Sequence, residues 1–260
     1  MDEFCDSLRL RYGFEPAGLP QKCDGCGCNF TVEHGLSCAV GGLIIGRHDD
    51  VCLEFGALAK KALKPSAVSY EPKIRSKDEA AWVAATVVTP GSTGADVSDS
   101  EETGAAAADT NENRGDIKIH GFWTRGTDSI FDAMISDLEG RSHRQIEPEK
   151  VLAKMEKSKK AKHLAACLER RRTFTPICYT VDGMAGKETR AAEKQLARLL
   201  ADKWSREYSQ MVGYVRARMA IAVVRSQSRL LRGSRVRRTR QPPLIDDGAA
   251  TTAMRSWREL

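Results

Sequence analysis

Cys23, Cys26, His34 and Cys38 crowd into sixteen positions, "CDGCGCNFTVEHGLSC". Cys-x2-Cys followed by His-x3-Cys places two close ligand pairs on either side of a short loop, which is what a tetrahedral ion needs. Thiolate and imidazole together suit Zn²⁺. Cys28 is a spare thiol that could stand in for Cys26. Four protein ligands leave no open position, so this zinc is expected to be structural and to mark a module rather than an activity. Reduced cysteines beside an unrelated histidine are the plainer alternative, against which the density of the cluster speaks.

A second group of residues lies downstream. "RGDIKI" sets Asp116 at the start of an alternating segment, and "SIFDAMISD" sets Asp132 among Ile130, Phe131 and Ile135. A carboxylate in an apolar strand is costly unless it is paired, hydrogen-bonded or metal-bound. Two strands joined by a hairpin would bring these acids side by side as a hard-oxygen site suited to Mg²⁺, where the ion can activate water and neutralise a phosphodiester. Lysines able to orient that water follow Pro148, at Lys157, Lys159, Lys160 and Lys162. Lys159 and His163 share one helical face. On spacing alone, an edge acid and a solvated basic helix would look the same.

The elements that must position these residues are legible from periodicity. Val51, Phe55, Leu58, Ala59 and Ala62 recur at helical spacing between Asp49 and Leu63, and Pro65 ends that helix. "AVSYEPKI" reads as extended. "DIKIHGFW" and "SIFDAMISD" read as strands joined by a turn over Gly121 to Asp128. A long helix follows Pro148, "FTPICYTV" is a buried strand, and two helices run from Lys187 to Glu207 and from Ser209 to Leu231. Such alternation implies an α/β fold, one mixed sheet flanked by helices.

Charge is unevenly spread. Residues 84–113 hold six acids and no base, leaving the rest of the chain at +12 against a total of +6. That segment is low in large apolar groups and is expected to be a disordered insert. From Lys203 to Arg240 there are eleven Lys or Arg against the single acid Glu207. A basic face of this kind, with Arg216, Arg218, Arg225, Arg229, Arg232 and Arg235 foremost, is the footprint of a polyanion. No apolar run is long enough for a membrane helix. The N-terminus lacks the regions of a secretory signal, so a reducing compartment is expected.

The pieces "DEFCDSLRLRYG", "CDGC…FTVEHGLSC…GG", "RHDD", "PSAVSYEPKI", "RGDIKIHGFWTRGTDSIFDAMISD", "KSKKAKHLAACLERRRTFTPICYTVDGMAGKE", "YVRARMAIAVVRS" and "LRGSR", in this order, cover most of the chain outside the acidic insert and the tail. Together they resemble the C-terminal endonuclease region of non-LTR-like retroelement proteins that carry a reverse transcriptase. The resemblance implies a restriction-endonuclease-like fold of the PD-(D/E)xK class, preceded by a zinc knuckle and an arginine–histidine pair. By position, Cys23, Cys26, His34 and Cys38 hold zinc, and Asp116 and Asp132 hold the catalytic Mg²⁺, with Asp50 as a remote carboxylate. The usual lysine two residues after the second acid is Met134 here. Related nucleases carry it on the following helix, which points to Lys159 or Lys160, with His163 in place of a common aromatic. Gly115 stands where some relatives have proline.

The implied activity is nicking of target DNA in the nucleus, so that a 3′ end primes reverse transcription. The implied partners are DNA, element RNA, and a reverse transcriptase in cis in the parent element or in trans. The chain shows no polymerase palm of its own, which the resemblance reads as a fragment, a separated gene model or a decayed copy. The competing reading is a catalytically inactive zinc-knuckle nucleic-acid-binding protein. The expected organisation is a knuckle segment at 1–45, a nuclease-like domain at 46–232 containing the insert, and a flexible tail at 233–260.

Overall fold

The computed structural model describes residues 2–75, 113–137 and 146–236. The acidic insert, except Asn113, and the tail beyond residue 236 lie outside the described residues. Helices α1 (Asp2–Arg11), α2 (Val32–Ser37) and α3 (Leu43–Ala62) precede strands β1 (Val68–Tyr70), β2 (Lys73–Arg75), β3 (Asn113–Arg114), β4 (Ile117–His120) and β5 (Asp128–Ser136). Helix α4 (Pro148–Glu169), strand β6 (Thr173–Thr180) and helices α5 (Lys187–Trp204) and α6 (Tyr208–Arg232) follow. The expected order of elements is present. Helix α3 starts six residues earlier than its apolar period suggested, after Gly42 in a left-handed conformation. That extra length carries Arg47 and His48.

The main sheet has the order β1-β4-β5-β6 and is mixed: β1, β4 and β5 run antiparallel, and β5 pairs with β6 in parallel. Gly121 and Gly126, both at positive φ, make the β4–β5 turn where the sequence placed it. Strand β6 carries Pro176 on the sheet edge, where a strand tolerates a missing N–H donor. The two-stranded β2–β3 pair joins the residues on either side of the insert.

Helices sit on both faces of the sheet. On one, Val51, Phe55 and Leu58 of α3, Leu196 and Leu200 of α5, and Val215 and Met219 of α6 close over Ile117, Ile119, Phe131 and Ile177. On the other, Ala166 and Cys167 of α4 pack on Ile130 and Phe174. Strand β5 is therefore buried on both sides, as the parallel half of a sheet usually is. Side chains alternate along it: Phe131 and Ala133 face α3, while Ile130 and hence Asp132 face α4. A charged residue in this strand thus projects into the layer that holds the lysines. No described helix is long and apolar enough to cross a membrane.

Candidate metal centres and acidic cleft

Residues 21–30 close a tight hairpin. Cys23 N–H donates to Cys28 O at 2.8 Å, Gly27 N–H to Cys23 O at 2.9 Å, and Phe30 N–H to Gln21 O at 2.9 Å. Thr31 then caps α2 by accepting from His34 N–H at 3.0 Å. The six-residue helix carries His34, and Cys38 follows its end with its N–H on His34 O at 2.8 Å. The four side chains converge, all ligand atoms lying within 4.8 Å of one another. Cys23 Sγ and Cys38 Sγ are 3.9 Å apart, and Cys26 Sγ and His34 Nε2 are 3.3 Å apart. Tetrahedral zinc with bonds of about 2.3 Å to sulfur and about 2.0 Å to nitrogen asks for about 3.8 and 3.5 Å. The cluster therefore fits Zn²⁺ as it stands. All eight cysteines are free thiols. Burial would raise the Cys23 thiol, but the N–H groups of Cys26 and Gly25 and the contact with His34 bring it down to about 6. Cys28 lies outside the cluster, and its contact with Cys26 pushes its thiol up. Cys26, not Cys28, completes the set.

The cleft is built by β4, β5 and α4. Asp116 lies just before β4, its N–H donates to Phe131 O at 2.9 Å, and its carboxylate comes beside Asp132. Asp116 Oδ2 accepts from Ala133 N–H at 2.5 Å. Asp132 is buried, and its Oδ2 lies 2.8 Å from Lys159 Nζ and 3.2 Å from His163 Nε2. Burial alone would raise the Asp132 carboxyl. The His163 contact, the Lys159 ammonium and the adjacent Asp116 side chain outweigh it and hold the group well below the usual carboxylate range. His163 is fully buried against the Phe174 ring, and neither of its ring nitrogens makes a well-formed hydrogen bond among the described residues. Lys160 turns away to Glu188 Oε1 at 2.7 Å. Of the two lysines that the sequence left equivalent, Lys159 is the one beside Asp132. Met134 shares the Asp132 face of β5 and is more than a third exposed.

Three placements differ from expectation. Asp50 is not directed at the cleft but pairs with Arg229 Nη1 at 2.9 Å. The arginines of α6 are largely engaged. Arg218 binds Glu54 through two bonds of 2.7 and 3.1 Å, Arg232 binds Asp6 through two of 2.8 and 2.7 Å, and Arg225 lies 3.6 Å from Glu3. Arg216 is exposed, and the acid it acts on is Glu193. The neutralising acids come from α1 and α3, far away in sequence, so a count along α6 cannot reveal them. Finally, Arg235 is no part of a loose tail. It is 1% exposed; its guanidinium donates to Gly35 O at 2.8 Å and to Leu230 O, and covers the Phe30 ring. Asp24 accepts from Ser234 Oγ–H at 2.7 Å and from Arg235 N–H. Gly41, at φ +82°, has no room for a Cβ beside the Arg235 backbone. The end of α6 is thereby fastened to the knuckle.

The arginine–histidine pair that the resemblance implies joins these parts. Arg47 and His48 are neighbours on α3 with opposite tasks. Arg47 is buried and donates to Leu36 O of the knuckle helix at 3.3 Å. His48 Nε2 lies 2.9 Å from Asp116 Oδ2. The bond to Asp116 and the contact with Cys52 push the His48 imidazole up to about 11, against the effect of burial. His48 and Cys52 are four apart on a helix, the one signal that could have marked them as a pair. A scan of the chain against models of protein families gives no match, and a search of curated proteins gives none either.

Proposed function

We propose that the chain is a retroelement-derived, metal-dependent DNA endonuclease of the restriction-endonuclease-like class, acting in the nucleus to nick target DNA for reverse transcription. The observation that carries this reading is the meeting of three groups from separate elements: Asp116 before β4, Asp132 inside β5, and Lys159 on α4, 2.8 Å from Asp132. A buried acid placed beside a second acid and a lysine is a grouping that metal-dependent phosphodiester hydrolysis can use. Asp116 and Asp132 would hold Mg²⁺, because paired carboxylate oxygens suit a hard cation. That ion supplies charge neutralisation at the phosphate and lowers the pKa of bound water. Lys159 orients the attacking water or holds a phosphate oxygen. His163 supports the Asp132 carboxylate from the buried side. The knuckle positions α3 through Arg47, and α3 positions the cleft through His48.

The test is plasmid nicking with and without Mg²⁺. Asp116→Asn and Asp132→Asn are each expected to abolish nicking while DNA binding is kept or slightly tightened, since each removes a metal ligand and also a charge that repels phosphate. A wild-type chain that nicks with neither Mg²⁺ nor Mn²⁺, and whose aspartate variants bind DNA like wild type, would leave the zinc-knuckle nucleic-acid-binding reading in its place.

The paired arginines change what salt should do to DNA binding. Exposed ion pairs are weak and can exchange for phosphate. Arg225 and Arg229 are 68% and 51% exposed at their side chains, so with Arg216 they are the α6 cations free to reach DNA. Replacing these three with alanine is expected to reduce the slope of log Kobs against log salt by about 3, at roughly 0.9 per phosphate. Arg218→Ala should lower thermal stability and leave that slope nearly unchanged. A slope drop of about 1 in Arg218→Ala, as an arginine free to contact phosphate would give, is the result that rejects this division.

A further inference from the structure

We propose that His48, Cys52 and Asp116 form a second transition-metal site, separate from the knuckle, which takes Zn²⁺ and thereby removes Asp116 from the acidic cleft. The three ligand atoms lie within 4.8 Å of one another. His48 Nε2 is 2.9 Å from Asp116 Oδ2 and 3.8 Å from Cys52 Sγ. A tetrahedral zinc ion asks for about 3.3 Å between nitrogen and oxygen ligands and about 3.5 Å between nitrogen and sulfur. Shifts of a few tenths of an ångström meet both separations, and because Cys52 Sγ is also 3.9 Å from Nδ1, a turn of the imidazole aims Nε2 at the ion.

A second observation points the same way. His48 Nδ1 lies 3.3 Å from Asp49 Oδ1. A carboxylate behind the remote ring nitrogen fixes the tautomer and presents the other nitrogen to a metal, which is the usual support of a zinc-bound histidine.

The surroundings suit such an ion. Cys52 is buried on the apolar side of α3, whereas His48 and Asp116 remain 32% and 23% exposed at their side chains. One side of the site is therefore closed, and the other admits an ion from solvent. The ion replaces the proton that His48 and Asp116 share, and both that proton and the Cys52 thiol proton pass to solvent. Three protein ligands leave a fourth position open, unlike the knuckle. Thiolate and imidazole favour Zn²⁺ over Mg²⁺. Because Asp116 belongs to both sets, Zn²⁺ here displaces Mg²⁺ and silences cleavage. This consequence rests on the nuclease reading; the binding of the ion does not.

The experiment starts from full-length protein carrying one zinc per chain and adds Co²⁺. The knuckle keeps its zinc, the tighter-bound of the two ions. Wild type is expected to take one further equivalent, with a thiolate-to-cobalt charge-transfer band. Cys52→Ser should lose the band, and His48→Gln should weaken the second affinity at least about 10-fold, while both retain the first zinc. If Cys52→Ser fails to fold, the more exposed His48→Gln decides alone. No second band in wild type, or an unchanged affinity in His48→Gln, overturns the proposal. A second arm adds Zn²⁺ to nicking reactions with excess Mg²⁺: wild type is expected to be inhibited, and Cys52→Ser to need at least about 10-fold more Zn²⁺ for the same fractional loss. If the chain does not nick at all, the nuclease reading falls, and the cobalt titration still decides the site.

Discussion

Lys159→Ala is expected to lower Mg²⁺-dependent nicking by about 10²–10⁴-fold, the range typical for losing a positioned proton-transfer or charge-stabilising group. Lys160→Ala should stay within a few-fold of wild type. The two residues are adjacent, but a helix turns about 100° between them. Lys159 meets Asp132 at 2.8 Å, while Lys160 meets Glu188 at 2.7 Å. Lys159→Ala also leaves Asp132 buried with His163 as its remaining close partner, so a stability loss of about 1–3 kcal/mol accompanies it. Thermal melting measures that loss separately from activity. Met134→Lys is the companion change. Residue 134 lies two positions beyond Asp132 on the same strand face, so an ammonium there reaches the same carboxylates. Recovery of nicking in the double variant would show that the function needs a cation at that point and not a particular element to carry it. Equal losses from Lys159→Ala and Lys160→Ala would contradict the geometry.

Removal of the knuckle zinc is expected to release much more than the knuckle. Structural zinc sites of this kind supply about 10–16 kcal/mol of folding free energy, and this one is tied to three other elements. Leu36, Phe30 and Val32 share an apolar cluster with Leu230 and Leu231 of α6 and Leu10 of α1. Arg235 spans the knuckle and the end of α6, and Arg47 joins α2 to α3. Chelation should therefore raise amide exchange in residues 21–42 and also in 229–236 and along α1, while β5 and β6 stay protected by the core around Phe131 and Ile177. Arg235→Ala separates docking from metal binding. It should keep one zinc yet raise exchange at 229–236, because it leaves Gly35 O and Leu230 O unpaired at about 1–3 kcal/mol. Exchange confined to residues 21–42 after chelation would show that the knuckle is an independent appendage.

The Cys–His cluster was legible in the sequence because all four residues lie within one local hairpin and helix, where spacing is nearly geometry. The strands and long helices were legible because burial of one face imposes a period of two or of about 3.6 on the residue types. The nearness of Asp116, just before β4, to Asp132 on β5 followed from the hairpin between the two strands, while the exact placement of Asp116 did not. The choice between Lys159 and Lys160 needed the rotation of α4 against β5 and β6, which packing sets and local pattern does not. The fates of the α6 arginines were illegible for a related reason: their partners Asp6, Asp50 and Glu54 belong to helices more than a hundred residues away in sequence. Arg235 was misread because a short polar segment after a helix looks solvated until a buried set of carbonyls is found to receive it. The joining of His48 to Asp116 likewise spans α3 and β4. Local chemistry and periodicity are written along the chain, whereas which side chains share a cleft depends on the docking of elements, and that is decided by the whole core at once.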